Sequence, residues 1–197
     1  MFEGDPAPMD LATPGFNATE WTLRHNAGVI DPILAKAVAY LQSRGIERIA
    51  TTGYCFGGRY AFRLLAPGKG VDAGFSAHPS LLENGEILAI TKPISVAAAG
   101  GFFSLLLSFL SLFFTCCASI AQVLTCTCTE IDTMMPPARR LEIEGLLANN
   151  VTQPYQVNLY GGAAHGFGVR GDVSDPEQKF AKEAAFYQAV RWFSAWA

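Results

Sequence analysis

The chain has 197 residues, enough for one domain with a substantial core. Its 14 basic and 17 acidic residues leave a formal net charge of −3, and no basic run occurs anywhere. That excludes a nucleic-acid surface built on phosphate contacts. Met1-Phe2-Glu3-Gly4-Asp5-Pro6 lacks the basic stretch and apolar core of a secretory signal, so a cytoplasmic location is expected and the sequons at Asn17 and Asn150 carry no weight. Of the five cysteines only Cys55 lies outside the segment 116–128, which holds Cys116, Cys117, Cys126 and Cys128. A disulfide framework is not distributed that way.

Residues 1–28 are rich in Pro, Gly and polar residues and read as mostly loop. Asp31-Pro32 then gives an N-cap with proline at the first helical position. Ile33, Leu34, Ala37, Val38 and Leu41 recur at helical spacing until Gly45 stops the helix. A short strand, 48–52, runs into Gly53-Tyr54-Cys55-Phe56-Gly57-Gly58, after which Arg59 to Ala66 opens a helix. Val71 to Ala77 reads as a second strand ending at His78-Pro79, and Glu83 to Ile90 as a short helix. Pro93 to Ala99 is an apolar, buried strand. Pro136 to Asn149 is a helix with Leu141, Ile143, Leu146 and Leu147 on its apolar face. Tyr155 to Tyr160 alternates as a strand, a Gly-rich loop carries His165, and Pro176 to Ala197 closes the chain as a long helix. Trp192 and Trp196 fall at helical spacing there and read as packing residues. Strands alternating with helices predict a parallel α/β sheet with its ligand site at the carboxyl ends of the strands.

One segment breaks this pattern. From Ala97 through Thr129 there is no charged residue, and its length and apolarity match a membrane span. A span here would divide the sheet between two of its strands. Removing about 100–129 joins Ser95-Val96-Ala97-Ala98-Ala99 to Glu130-Ile131-Asp132, a strand running into an acidic loop. Phe, Leu, Ser and Cys dominate the segment, the residues that pyrimidine-rich DNA encodes, so it is expected to be a translated intron or another gene-model error. A natural exposed insertion and a membrane or interface helix are the other readings. Its cysteines lack His or acidic companions inside the run, and no metal site is expected.

Gly53 and Gly57, two residues either side of Cys55, suit the cramped backbone of a nucleophile elbow. A thiol at a helix N-terminus has its thiolate favoured, and the thiolate is the attacking species. A buried cysteine in a Gly-rich turn is the other reading. Cys55, Asp132 and His165 follow the nucleophile–acid–histidine order of α/β-hydrolases. In those roles His165 takes the thiol proton and returns one to the leaving alkoxide, while Asp132 orients and stabilises the ring. The Phe56 N–H is the expected oxyanion donor. Asp132 also reads as a cap ahead of Pro136, and Glu130 competes with it as the acid. His78, at a strand end beside the elbow, either lines the pocket or is structural. Arg170 either clamps a substrate carboxylate or pairs with Asp172. His25 carries no argument.

Gly53-Tyr54-Cys55-Phe56-Gly57-Gly58-Arg59-Tyr60, Gly74-Phe75-Ser76-Ala77-His78-Pro79-Ser80, Tyr160-Gly161-Gly162-Ala163-Ala164-His165-Gly166-Phe167 and Arg170-Gly171-Asp172 together resemble the dienelactone hydrolase family in its fungal branch. The likeness extends into Asp175 to Glu183 and covers most of the chain from Asp31 on, apart from the charge-free segment. It implies an α/β-hydrolase fold and a Cys-His-Asp triad on Cys55, His165 and Asp132. The substrates it implies are enol-lactones or related small esters, cleaved without metal or cofactor. Complete members carry further strands upstream, so the chain is expected to lack N-terminal sheet strands and a second oxyanion donor. Two other readings stand beside it: a non-catalytic remnant of such an enzyme, and a protein tethered to a membrane through 101–124.

Overall fold

The computed structural model describes residues 2, 4–8, 13–100 and 132–197. Four parallel strands, β1 (Ala50–Tyr54), β2 (Ala73–Ala77), β3 (Ile94–Gly100) and β4 (Tyr155–Gly161), lie side by side in that order. Seven helices are described: α1 (Ala18–Arg24), α2 (Ala27–Ser43), α3 (Phe56–Leu64), α4 (Asn84–Leu88), α5 (Pro137–Asn150), α6 (Phe167–Arg170) and α7 (Pro176–Trp196). Each strand needs a crossover before the next parallel one, and α3, α4 and α5 lie in those crossovers.

The two inner strands are apolar because both of their faces are covered. All five residues of β2 are buried, as are the first six of β3. Side chains alternate across β3, so Ile94, Val96 and Ala98 join Phe62, Leu65, Ile87, Ile143 and Leu147 on one face. Ala97 and Ala99 join Phe75, Ala181, Ala185 and Ala189 on the other. Alanines at four-residue spacing let α7 lie close to the sheet. Truncating a core residue such as Leu147 to alanine would cost about 2–5 kcal/mol.

The N-terminal reading needs correction. Residues 18–24 form α1 rather than loop, because the Asn17 side chain accepts from the N–H groups of Thr19 and Glu20. Trp21 is buried and stacks on His25, with ring centroids 4.2 Å apart. The next helix starts at Ala27, capped by Asn26, and Pro32 lies inside it. Asp31 is therefore not a cap; its carboxylate faces Arg63 instead. Proline removes one helical hydrogen bond, which the Asn26 cap and the buried Ile30 offset. Two smaller differences affect the site. The elbow helix begins at Phe56 directly after Cys55, and a short helix, α6, follows His165 within what read as open loop.

β3 runs through Gly100, which pairs with Gly161, so the sheet takes in a residue the sequence had assigned to the apolar insert at about 100–129. Glu130, the four clustered cysteines and the membrane-span candidate 101–124 lie outside the described residues. Among the described residues no helix is long and apolar enough to cross a membrane.

Candidate active site

The carboxyl ends of β1, β2 and β4 deliver the polar groups to one edge of the sheet. Cys55 follows β1 directly and has φ 50° and ψ −118°, a left-handed conformation that a non-glycine residue rarely holds. Strain of this kind costs on the order of 1–3 kcal/mol and persists only where neighbours enforce it. Here the Cys55 N–H donates to the Ala77 carbonyl at 3.1 Å, and the Cys55 carbonyl accepts from Gly58 at 2.9 Å and from Ser80 at 3.1 Å. The elbow's steric demand falls on Gly53 and Gly58. A Cβ on Gly53 would sit 2.0 Å from the Gly57 carbonyl oxygen, and one on Gly58 would sit 2.7 Å from Ser76 Oγ. Gly57, whose spacing had pointed to the elbow, has open space around it.

The Cys55 sulfur lies 3.1 Å from His165 Nε2, and His165 Nδ1 lies 2.9 Å from Asp132 Oδ1. Residues 110 and 33 positions apart in sequence thus form one continuous chain of hydrogen bonds. The same Asp132 oxygen accepts from the N–H groups of Met134 and Met135 at 2.9 and 3.0 Å. Those bonds fold a turn ahead of α5, whose own cap is Pro136. Asp132 therefore braces a turn and faces an imidazole at once. It is 2% exposed, so its carboxylate meets the ring with little water between them. His165 is placed by a loop in which Gly162 and Gly166 take φ of 75° and 90° and Gly162 N–H donates to Gly100 at 2.8 Å.

The electrostatics favour a proton on nitrogen rather than sulfur. Burial pushes the Cys55 thiol up, but hydrogen bonds from His165 and Ser80, the charge on His165 and the Phe56 N–H outweigh it, and the net shift is down. For His165, burial pushes down, while the bonds to Asp132 and Cys55 and their charges raise the ring to about 9. The two shifts run in opposite directions, and together they favour the thiolate–imidazolium pair over the neutral thiol and imidazole.

His78 sits at the end of β2 with φ 37° and is 1% exposed. Its ring meets those of His165 and Phe167 edge-on, with centroids 5.1 and 5.3 Å away. Neither nitrogen has a hydrogen-bond partner among the described residues. Burial, followed by the positive charge of His165, pushes its pKa down to about 4, so it is neutral where the His165 ring is charged. Arg170 ends α6, and a Cβ on Gly166 would sit 3.0 Å from its guanidinium. Its charge also disfavours protonation of His78, which puts Arg170 at the margin of the cluster. The carboxylate of Asp172 accepts from the Ser174 N–H and hydroxyl at 2.8 and 2.7 Å. His25 lies away from the cluster; its Nδ1 bonds the Trp21 carbonyl at 2.8 Å.

Two contributions escaped the sequence reading. Ser80 Oγ lies 3.6 Å from the sulfur of Cys55. The ring of Phe56 packs against Phe2, Trp21 and Tyr60, with centroids 5.8, 5.1 and 5.1 Å away, so α1 shields the flank of the elbow. Only the serine left a sequence signal, a hydroxyl two residues beyond the histidine that ends a strand beside the elbow. Among the described residues no group of three or more His, Cys, Asp or Glu could hold a metal.

Comparison with known proteins agrees with this architecture. The sequence model described as the Dienelactone hydrolase family matches residues 15–197. The chain belongs to the dienelactone hydrolase family. It is 35% identical over 195 residues to hydrolase pyvD of Aspergillus violaceofuscus, covering 98% of this chain and 66% of that protein. Hydrolase tropI of Talaromyces stipitatus is 33% identical over 204 residues, covering 98% of this chain and 67% of that one. The chain thus spans about two thirds of the length of these relatives. A dienelactone hydrolase-like promiscuous phosphotriesterase from metagenomic libraries superposes with a TM-score of 0.58 at 16% identity, over 92% of this chain and 70% of its own. A dienelactone hydrolase structure from Klebsiella pneumoniae gives 0.55 at 16% identity, over 80% and 57%. At that identity the solved structures speak to the fold alone, and it is the α/β-hydrolase fold of the dienelactone hydrolase family.

Proposed function

We propose that this member of the dienelactone hydrolase family cleaves lactones or small carboxylic esters, with Cys55 as nucleophile, His165 as acid and base, and Asp132 as the group that orients His165. The observation that carries the reading is the unbroken run from sulfur through both ring nitrogens to a buried carboxylate, at 3.1 and 2.9 Å. The names of the relatives agree with a hydrolytic role.

The chemistry then runs in two halves. The thiolate attacks the carbonyl carbon, a C–S bond forms, and the carbonyl π pair moves onto oxygen. The Phe56 N–H, first donor of α3 and now directed at the sulfur, is the oxyanion donor as the charge moves from sulfur to oxygen. Collapse of the intermediate breaks the C–O bond, and the His165 imidazolium gives its proton to the leaving alkoxide. In a lactone that alcohol stays tethered to the acyl group. The neutral imidazole then takes a proton from water, which attacks the thioester, and a second collapse releases the carboxylic acid and restores the thiolate–imidazolium pair. Arg170 suits a substrate carboxylate by charge and position, and neutral His78 forms the wall behind His165.

Replacing Cys55 with alanine tests the reading. Turnover of p-nitrophenyl acetate should fall at least about 10³-fold with the circular dichroism spectrum unchanged. Retained turnover in a folded Cys55→Ala protein would remove the cysteine from the mechanism and leave the contacts among Cys55, His165 and Asp132 as packing.

A further inference from the structure

The turn after β2 holds two non-glycine residues in the left-handed region, His78 at φ 37° and Leu81 at φ 57°. Between them Pro79-Ser80 bends back over the elbow. The Ser80 N–H donates to the Cys55 carbonyl at 3.1 Å, fixing the serine to the same residue whose sulfur its hydroxyl approaches at 3.6 Å. Ser80 is 2% exposed, so water does not compete for that hydroxyl. A buried hydroxyl needs a partner, and the sulfur stands within the longer reach of a sulfur hydrogen bond.

We propose that Ser80 is a positioning residue whose hydroxyl donates a hydrogen bond to the Cys55 thiolate and aims it at the substrate. The inference rests on Cys55 being the nucleophile. A thiolate accepts but does not donate, so with His165 Nε2 and the Phe56 N–H on it, the hydroxyl supplies a third donor. Three donors, from the elbow, the β2 turn and the histidine loop, restrain the sulfur from three sides. An alanine at 80 keeps the backbone bond to Cys55 and loses only this restraint. When the sulfur attacks, its charge moves to the carbonyl oxygen, so the hydroxyl favours the resting thiolate more than the transition state.

This sets how the pH profile must respond. Without the hydroxyl less thiolate is present at a given pH, and the thiolate that forms is the stronger nucleophile. The other titratable and charged groups around the sulfur are His165 with Asp132 behind it, and His78 and Arg170 beside the ring.

The test follows iodoacetamide alkylation of Cys55 against pH in the full chain. It is read by mass spectrometry of the peptide carrying Cys55, because the chain holds four other cysteines. The acidic limb of kcat/KM is measured in parallel. Ser80→Ala should move both limbs upward by about one pH unit, a roughly tenfold loss of thiolate below the limb, with recovery at higher pH. Ser80→Thr should restore both. If Ser80→Ala fails to fold, Ser80→Val against Ser80→Thr supplies the same comparison, since the two differ by a methyl for a hydroxyl. Limbs unmoved in Ser80→Ala, or identical in the Val and Thr variants, overturn the proposal. That result beside an inactive Cys55→Ala leaves the nucleophile assignment standing, whereas an active Cys55→Ala removes the premise itself.

Discussion

Helix α3 presents two polar clusters built from similar chemistry. At its N-terminus the sulfur of Cys55 meets an imidazole and, through it, a buried carboxylate. Further along, Arg59 and Arg63 face Glu86, Glu83 and Asp31. Arg59 Nε reaches both oxygens of Glu86 at 2.7 and 3.0 Å, and Arg63 Nη1 reaches Glu86 Oε1 at 2.6 Å. The bond to Asp31, helped by that to Glu86, raises the pKa of Arg63 against the effect of burial, so its guanidinium stays charged at any working pH. That cluster serves as a brace between α2, α3 and α4. The other cluster has a movable proton, because Cys55 is shifted down and His165 up. Burial makes both expensive to disrupt, but only the second lets a proton change hands during a reaction.

Breaking the movable cluster should have the largest effect. In Asp132→Asn the amide cannot stabilise the imidazolium, and kcat/KM should fall about 10³-fold or more. The carboxylate is a main reason His165 lies near 9, so the alkaline limb of the remaining activity should move below pH 9. An unmoved limb with activity retained would leave Asp132 as a turn brace only.

The fixed cluster should fail differently. Glu86→Ala leaves two guanidinium groups facing apolar packing with one carboxylate each at best, and should cost about 3 kcal/mol in chemical denaturation. The folded fraction should keep kcat/KM within tenfold. A 10³-fold loss in folded protein would show that the two clusters are coupled.

The smallest effect concerns His78. Its folded pKa, about 4, lies below the ordinary value of 6.5, so its contribution is full above pH 6.5 and is lost as pH falls toward 4. His165 has the opposite sign, contributing below pH 6.5 and losing that as pH rises through about 9. Relative to His78→Leu, the parent chain should therefore lose up to about 3 kcal/mol of unfolding free energy between pH 6.5 and 4. Parallel stability curves for the two proteins would mean that His78 takes up its proton in the folded state as easily as in water.

The comparison also separates what the sequence showed from what it could not. The elbow was legible from Gly53, where there is no room for a Cβ; Gly57, the other glycine that marked it, has open space, and Gly58 carries the second steric demand instead. Cys55, Asp132 and His165 were legible by residue type and order; that Cys55 and Asp132 each reach a ring nitrogen of His165 within 3.1 Å was not, since 31 residues intervene between β3 and Asp132. Helix α1 was hidden because its cap, Asn17, sits in a stretch rich in Pro and Gly, and its anchor, Trp21, is fixed by contacts with Phe2 and Phe56. Asp31-Pro32 imitated a helix start, but Asn26 caps one turn earlier and Asp31 is taken by Arg63. The spacing of Arg59 and Arg63 marks one helix face, yet nothing local names Glu86, 27 and 23 residues away, as their partner. Ser80 depends on two left-handed residues, His78 and Leu81, that no propensity would place there.

The most direct test of the account is to catch the acyl group on its carrier. The full chain is mixed with p-nitrophenyl acetate, quenched in acid during turnover, and digested for mass spectrometry of the peptide holding Cys55. The account predicts an acetyl thioester on Cys55 that hydroxylamine removes and that Cys55→Ala lacks together with its turnover. Steady ester cleavage with Cys55 unacylated, and unchanged when that cysteine is replaced, would contradict it.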